Sequence, residues 1–404
     1  MKRLTIQKAF EKLTYECDPR IDKDQAIEIA FQNDEKRIHC YTEICKIPFE
    51  KAVGYTTVGC NEPAFLGAIT GSNSKVNFLR AMETVFHKKA DLIENAPTYE
   101  AFFDIFKQEL FSDLTQAYRY DDFYNEQRAL DINYISSLFF NDCIENAKSL
   151  TQGGGETVIA SPMCLGITNV IDSLVVVKQF VYDEQMITMK ELISALQENW
   201  VGYEDLHTLI LKKGHFFGND DDTSNTVARE LYQSLYEFLK DKTNLFGYHW
   251  LIGDLVGYNS HHKWFGERTK ATPDGRKNGD VLKFGLYQSE GRDREGLTAL
   301  LHAIATVDPN GIGCGSTVTN FTIDETLIQN DDNFEKTVDL LLTYFQNGGV
   351  HFQLTYVSKE DLICARQTPD DYKHLRVRVS GFSDYFVRLT TPLQDEIIAR
   401  TEQK

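Results

Sequence analysis

The stretch that decides the fold lies near the C-terminus and reads Arg378-Val379-Ser380-Gly381-Phe382-Ser383-Asp384-Tyr385-Phe386. Gly381 stands between a short β-branched run, Val377 to Val379, and an aromatic run. An amphipathic segment that contains Gln394 and Arg400 follows and predicts a last helix. Glycine has no Cβ and adopts backbone geometries that other residues cannot. Taken alone, Gly381 indicates a bulge or a tight bend at the end of a strand.

The surrounding residues give Gly381 a second interpretation. The run from Arg378 to Thr401 resembles the radical-bearing loop of glycyl radical enzymes, the pyruvate formate-lyase superfamily. The resemblance implies that Gly381 loses a Cα hydrogen and stores an unpaired electron, which the flanking amide groups share. It also implies that a separate radical S-adenosylmethionine activase installs this radical and that no other cofactor is bound. We therefore predict Gly381 as the radical site.

A second motif lies near the other end of the chain, in the stretch Val58-Gly59-Cys60-Asn61-Glu62-Pro63. The run Val53 to Val58 predicts a short strand, and the residues after it predict a loop. The stretch looks like the family's cysteine loop, Gly-Cys-x-Glu. A radical buried in a backbone needs a relay to reach a substrate, and a thiol serves because its S–H bond is close in strength to the glycine Cα–H bond. The resemblance implies that Cys60 is this relay, although an isolated cysteine is ordinarily a small core residue.

Glu62 follows Cys60 by two residues, which in an extended loop returns its side chain to the same side. There it could act as a general base or acid on a substrate hydroxyl or carboxyl group. An isolated loop glutamate is more often a solvated residue. The resemblance favours the catalytic role, because family members that dehydrate, decarboxylate or cleave C–N or C–S bonds carry this glutamate, whereas pyruvate formate-lyase has a Cys-Cys pair. Asn61, between them, stands where relatives commonly have a small apolar residue.

Strands separated by long helical stretches predict an α/β or α+β architecture around a buried sheet. The resemblance extends from about Ile21 onward and implies more: half of a ten-stranded α/β barrel with a C-terminal glycyl radical domain. We place a pyruvate formate-lyase-like domain with the cysteine loop at 1–270 and a glycine radical domain at 271–404. The boundary falls at a strong turn signal, Thr272-Pro273-Asp274-Gly275-Arg276.

Family members have a long N-terminal portion ahead of the cysteine loop, but here Cys60 comes early. We therefore expect a C-terminal half-enzyme whose half-barrel leaves unpaired strand edges. A second chain that supplies the N-terminal half, or self-pairing into an oligomer, would cover those edges. The alternative is a non-catalytic complementing or spare-part subunit, or a truncated remnant. A pure spare part would need only the Gly381 domain, and the presence of Cys60 and Glu62 counts against it.

Composition limits the other function classes. The 404 residues are 42% hydrophobic, enough for a substantial core, and the net charge of −18 argues against nucleic acid or an anionic membrane as a partner. No apolar run reaches bilayer length, and the N-terminal residues lack the apolar core of a signal peptide. The eight cysteines form no CxxC pair, which predicts free thiols in a reducing cytoplasm and no metal site. The resemblance implies a small organic substrate and an anaerobic setting, because oxygen destroys a glycyl radical.

Local patterns predict several further elements. The first ~50 residues read as mainly helical, with Ala26-Ile27-Ile29-Ala30 spaced for one buried face. A helix is expected from about Thr168 to Tyr182, and Thr188 with Glu191 forms the signature of a capping box. A helix around 334–346 and an apolar strand from Val350 to Val357 follow.

Overall fold

The computed structural model describes residues 28–32, 34–58, 61–70, 74–254, 261–323, 331–355, 357–379, 383–400 and 402–403. Their strands are β1 (Glu28–Gln32), β2 (Thr56–Val58), β3 (Glu62–Ala64), β4 (Ile69–Thr70), β5 (Lys75–Asn77), β6 (Thr157–Ala160), β7 (Met163–Leu165), β8 (His249–Trp250), β9 (Gly253–Asp254), β10 (Asn320–Ile323), β11 (His351–Thr355), β12 (Arg376–Arg378), β13 (Ser383–Tyr385) and β14 (Glu402–Gln403). Helices separate most of these strands, as the sequence predicts for an α/β protein.

Two small parallel sheets form the first half of the architecture. β4, β6 and β8 make one, and β5, β7 and β9 make the other, with β6 and β7 in the central positions. Each sheet takes its three strands from the same three regions of the chain, so the two continue one another. Ile159, Ala160, Cys164 and Leu165 on the central strands are all fully buried. Such continuous apolar burial is typical of parallel strands that are covered on both faces.

A four-stranded sheet in the order β1-β11-β10-β14 forms the second half. β10 is parallel to both β11 and β14, whereas β1 is antiparallel to β11, with Gln32 opposite His351 and Glu28 opposite Thr355. The prediction of a helix around Ala26 to Ala30 is therefore wrong for residues 28–30, while Ala26 and Ile27 lie outside the described residues. The strand exists because β11 offers it a pairing edge, which a local pattern cannot reveal.

Backbone hydrogen bonds join the two halves. Val318, just before β10, donates its N–H to the carbonyl of Asp254 at the end of β9 (3.1 Å). Val318 in turn accepts a hydrogen bond from the N–H of Leu286 (2.9 Å). The segment 317–319 therefore lies between the end of β9 and the strands of the four-stranded sheet.

Helices cover the outer face of these strands. They are α1 (Asp34–Glu43), α2 (Phe49–Ala52), α3 (Leu79–His87), α4 (Ala90–Glu94), α5 (Tyr99–Arg128), α6 (Tyr134–Ser137), α7 (Ile167–Val176), α8 (Met189–Gln197), α9 (Glu204–Lys213), α10 (Asp222–Leu239), α11 (His261–Gly266), α12 (Gly296–Val307), α13 (Asp331–Gln346), α14 (Lys359–Gln367) and α15 (Thr391–Ala399). Neighbouring helices pack in the order α5, α3, α7, α10, α12 and α13. Among the helices of the described residues, none is both long and apolar enough to cross a lipid bilayer.

The start and end signals of several helices agree with the sequence. The predicted capping box is confirmed: the Thr188 hydroxyl accepts from the Glu191 N–H, and the Glu191 carboxylate accepts from the Thr188 N–H. The predicted helix from Thr168 to Tyr182 is α7 followed by a π-helical segment, Val177–Asp183. At the predicted turn, Gly275 donates its N–H to the carbonyl of Thr272 (3.0 Å) with φ at 91°. That positive φ explains the glycine.

The C-terminal region has a hydrophobic core of its own. Its buried members are Val357, Leu362, Ala365, Leu375, Val377, Val379, Phe386 and Ile397. They come from α14, β12, α15 and residues that adjoin α14, β12 and β13. A separate core of this kind lets the β12–β13 hairpin keep its shape independently of the main core.

Asp254, at the junction of the two halves, makes stability depend on pH. Its side chain is fully buried, and burial raises the pKa of its carboxyl group to about 7, although a hydrogen bond from the Gly285 N–H and the charge of Lys283 act to lower it. In the unfolded chain the pKa returns to an ordinary value near 4. The group's contribution to stability is therefore fully present below about pH 4 and is lost as the pH rises through 7.

We expect Asp254→Asn to remove this dependence. Asparagine keeps an acceptor for the Gly285 N–H and carries no charge. Between pH 5 and pH 8 the wild type should lose about 2–3 kcal/mol of unfolding free energy more than the variant does. Urea denaturation of both proteins at several pH values measures the difference. Parallel stability profiles would contradict the prediction.

Candidate active site

The strands β2 and β3 flank the predicted cysteine loop and form a β-hairpin, here called the cysteine hairpin. β2 and β3 pair antiparallel, with Val58 opposite Glu62, so three residues, 59–61, connect them. Gly59 and Cys60 lie outside the described residues. Asn61 is described and has a φ of 79°, a left-handed conformation that asparagine tolerates better than most residues. The predicted strand before the loop is confirmed at Thr56–Val58, and the position of the Cys60 thiol stays a prediction.

Asn61 anchors this turn to the interior of the sheet. Its side chain is 4% exposed, and its Nδ2 donates a hydrogen bond to the carbonyl of Thr317 (2.8 Å). Thr317 adjoins Val318, the residue that bonds to the end of β9. A buried amide with a satisfied donor fixes the turn in one position. The sequence marks Asn61 only as a departure from the family pattern and does not reveal this anchor.

Glu62 is the first residue of β3 and is partly buried. Its partner across the hairpin is Val58, at the other end of the same turn. The carboxylate therefore belongs to a residue that directly adjoins the turn, as expected for a group that acts beside Cys60. That the side chains of Glu62 and Cys60 face the same space stays a prediction.

The strands β12 and β13 flank the predicted glycine loop and form a second β-hairpin, here called the glycine hairpin. β12 and β13 pair antiparallel, with Arg378 opposite Ser383, and residues 379–382 connect them. Val379 is buried, while residues 380–382, Gly381 among them, lie outside the described residues. The sequence predicts a strand from Val377 to Val379, and the structure has it one residue earlier.

Arg400 binds the backbone at the end of β12, the first strand of this hairpin. Its guanidinium donates hydrogen bonds to the carbonyls of Arg378 (2.7 Å) and Val379 (2.5 Å). It also forms an ion pair with Glu396 (3.1 Å), one turn earlier on α15. Arg400 is 6% exposed, so these bonds form in a poorly solvated environment, where charge-assisted hydrogen bonds are strong.

Arg378 connects the glycine hairpin to the four-stranded sheet. Its Nε donates to the side-chain oxygen of Gln353 on β11 (2.8 Å), and its Nη1 donates to the hydroxyl of Ser383 (3.1 Å). The backbone N–H of Gln353 donates to the carbonyl of Thr319 (2.9 Å). Thr319 is two residues from Thr317, which binds the cysteine hairpin. Asn61 and Arg378, which adjoin the two predicted loops, therefore both connect to one short segment, 317–319, although Cys60 and Gly381 are 321 positions apart in the sequence.

The sequence analysis does not identify two polar residues of this region as site candidates. Asn320 on β10 pairs with Gln353 on β11. Both side chains are buried, and the carboxamide of Asn320 has no hydrogen-bond partner. A buried carboxamide without a partner is costly and is characteristic of a site that binds a polar ligand. The available signal was alternation: polar residues at 351 and 353 flank Phe352, and Thr319 and Asn320 precede Phe321 in otherwise apolar strands.

Comparison with protein families assigns both regions of the chain. Residues 20–253 match the pyruvate formate lyase-like family, and residues 282–387 match the glycine radical family. The second range includes position 381 and the β12–β13 hairpin. The first range alone covers more than half of the chain.

Individual proteins are similar along nearly the whole chain. The probable dehydratase YbiW of Escherichia coli K12 is 31% identical over 399 residues, which cover 92% of this chain and 49% of that protein. The trans-4-hydroxy-L-proline dehydratase of Clostridioides difficile is 29% identical, over 93% of this chain and 48% of the relative. The chain thus spans about half the length of the curated relatives it matches.

Solved structures agree with the sequence comparison. The glycerol-bound B12-independent glycerol dehydratase of Clostridium butyricum superposes with a TM-score of 0.84 at 29% identity, over 93% of this chain and 49% of that one. A structure concerned with 1,2-propanediol dehydration in Roseburia inulinivorans gives 0.88 at 28% identity, over 100% and 52%. These neighbours confirm an α/β fold of the glycyl radical enzyme type. From the family matches and these likenesses we conclude that the chain belongs to the pyruvate formate lyase-like family and carries a glycine radical domain.

Proposed function

We propose that this chain is the radical-bearing part of a glycyl radical lyase or dehydratase that acts on a small organic substrate. Gly381 stores the radical, Cys60 carries it to the substrate, and Glu62 moves a proton. One observation carries the proposal: Asn61 binds Thr317 while Arg378 reaches Thr319 through Gln353. Thr317 and Thr319 are only two residues apart, about 7 Å in an extended chain, so residues beside both loops bond to one short segment.

The reaction follows as a series of hydrogen-atom transfers. The Gly381 radical takes the hydrogen atom of the Cys60 thiol, which leaves a thiyl radical and an intact glycine. The thiyl takes a hydrogen atom from a substrate carbon, and the resulting carbon radical expels a neighbouring group. The product radical takes the hydrogen back from Cys60, and Cys60 takes one from Gly381, which restores the stored radical. A completed barrel would exclude water and oxygen from these intermediates.

Glu62 assists the departure of the leaving group. A leaving hydroxyl group departs more readily when a nearby carboxyl group shifts a proton, a contribution of about 10²–10⁴-fold in rate. The named relatives include dehydratases and an isethionate sulfite-lyase. We infer cleavage of a C–O or C–S bond first, with C–N and C–C cleavage as the other reactions open to a Cys-x-Glu site. Asn320 and Gln353 would supply polar contacts to such a substrate.

The architecture supports a need for further protein. We propose that the parallel strands form half of a ten-stranded α/β barrel, with a pyruvate formate-lyase-like domain at 1–270 and a glycine radical domain at 271–404. Among the described residues, β5 pairs with β7 on one side and with no strand on the other. Tyr134, Ile135, Leu138 and Phe139 are between 65% and 78% exposed. An apolar surface of this kind is typical of an interface and supports a partner that supplies the other half of the barrel, or an oligomer.

Electron paramagnetic resonance tests the proposal directly. The protein is treated without oxygen with a radical S-adenosylmethionine activase, reductant and S-adenosylmethionine, and the control omits the activase. We expect a doublet from the single remaining α-hydrogen of Gly381, together with backbone cleavage just before this residue when air is admitted. If an activase that activates a related enzyme gives no signal, the radical function is refuted for this chain.

A further inference from the structure

Arg37, in α1, is a buried cation whose hydrogen-bonding capacity is mostly unused. Its side chain is 0% exposed. Nη1 donates to the hydroxyl of Tyr41 (3.1 Å), one helical turn on, but Nε and Nη2 have no hydrogen-bond partner among the described residues. The N–H groups of Nε and Nη2 lie parallel on one edge of the guanidinium. That edge is the fork that binds the two oxygens of a carboxylate or phosphate.

No carboxylate of the described residues forms an ion pair with Arg37. The hydroxyl of Tyr55 donates to Asp34 (2.7 Å), and the oxygens of Asp308 accept from the N–H groups of Ile312 and Gly313. The nearer groups are phenols and thiols, whose pKa values are raised, so they are neutral at physiological pH. A buried cation without a counter-ion is costly, and an anion that entered the site would offset this cost.

His351 presents a second donor without a partner. The ring is 1% exposed, and its Nδ1 accepts a hydrogen bond from the Thr319 N–H (3.1 Å). Burial, with the positive charges of Arg37 and Arg378, lowers the pKa of His351 well below its usual value. The ring is therefore neutral and carries its proton on Nε2, which has no hydrogen-bond partner. Arg37 and His351 both offer unused N–H groups and no unused acceptor.

We propose that Arg37 is the centre of a buried binding site for a small oxyanion, a carboxylate above all, with the Nε2–H of His351 as an additional donor. The anion would take the Nε–Nη2 edge of Arg37 in a bidentate contact. Tyr41 holds the opposite side of the guanidinium and fixes its orientation.

The site lies beside the open end of the cysteine hairpin, which is the end opposite its turn. The ring of Tyr55, which precedes β2, lies 5.8 Å from the Arg37 guanidinium carbon. The ring of Tyr41 packs edge-on against Tyr55 (5.3 Å) and against Phe65, which follows β3 (5.6 Å). Along β2, the open end of the hairpin and its turn are about 10 Å apart. The anion is thus distinct from the substrate carbon that Cys60 would attack, and this proposal stands whether or not the radical function does.

Thermal unfolding of the full chain tests the site. Acetate, formate and phosphate are titrated at constant ionic strength, with chloride as the balancing salt. For the wild type we expect the midpoint to rise by about 1–2 °C once the anion exceeds its Kd roughly tenfold. Arg37→Met should abolish the rise. Arg229→Met serves as the matched control, because Arg229 is exposed and bonds only to Thr226 on its own helix.

Arg37→Lys keeps the proposal testable if the methionine variant does not fold. Lysine keeps the charge and loses the fork, so the anion concentration that gives half of the rise should increase at least tenfold. A wild type without any anion-specific rise would overturn the proposal. So would an Arg37→Lys variant that responds at the same anion concentrations as the wild type.

Discussion

Gly381→Ala is expected to abolish both the radical signal and turnover. An α-carbon radical is planar, and a Cβ at this position would press against the backbone on either side and hinder abstraction of the α-hydrogen. The loss should be complete, because no other residue of the mechanism stores the electron between turnovers. The measurements are the amplitude of the paramagnetic doublet per chain after activation and the rate of product formation under the same anaerobic conditions.

Gly54→Ala is the matched control for this substitution. Gly54 precedes the cysteine hairpin, and a Cβ added there meets nothing closer than the carbonyl oxygen of Lys51 at 3.4 Å. The variant should therefore fold, become activated and turn over as the wild type does. A doublet that persists in Gly381→Ala would place the radical on another residue and refute the role of Gly381.

The first strand of each hairpin could be predicted from sequence, because it is specified locally, whereas the second could not: the sequence predicts a loop at Glu62 and Pro63, which lie in β3, and predicts no strand at Ser383–Tyr385. The β-branched residues before Gly59 and before Gly381 predict strands, and the structure has strands at Thr56–Val58 and Arg376–Arg378. Polar and glycine residues then interrupt each strand and predict a turn. Local residue preferences were sufficient for these two elements.

The contacts that bring the hairpins together could not be predicted in the same way. Asn61 and Thr317 are 256 residues apart, and their hydrogen bond exists only because the sheet places Thr317 beside the hairpin turn. In the sequence, Gln353 is one polar residue in an apolar strand. Only the fold shows that its side-chain oxygen accepts a hydrogen bond from Arg378. Long-range contacts of this kind depend on how strands pair, which one sequence does not specify.

Arg37 shows the same limit for a single side chain. Arginine is almost never fully buried without a partner, so a basic residue in a polar helix reads as solvated. Its burial follows from the packing of α1 beside the segments that follow α12 and precede β11, where Lys36 donates to the carbonyls of Asp308 and Gly348. The β1 strand is a related case, since the same pairing that places α1 also converts an expected helix into a strand.

Cys60→Ser is expected to separate the radical from the chemistry. The O–H bond of serine is much stronger than the S–H bond of cysteine, so the Gly381 radical cannot take its hydrogen. The doublet should form as in the wild type, while turnover falls to background. This outcome differs from that of Gly381→Ala, which loses both.

Glu62→Gln is the control that isolates the hydrogen transfer at Cys60. Glutamine keeps the shape of the side chain at the first position of β3 and cannot take up a proton. The variant should keep the doublet and still exchange hydrogen between substrate and solvent-labelled thiol, while elimination slows by about 10²–10⁴-fold. Cys60→Ser should show neither exchange nor elimination. If Cys60→Ser retained exchange, the thiyl would have to form at another cysteine, and the five buried free thiols of the described residues, Cys40, Cys45, Cys143, Cys164 and Cys314, would be the ones to replace next.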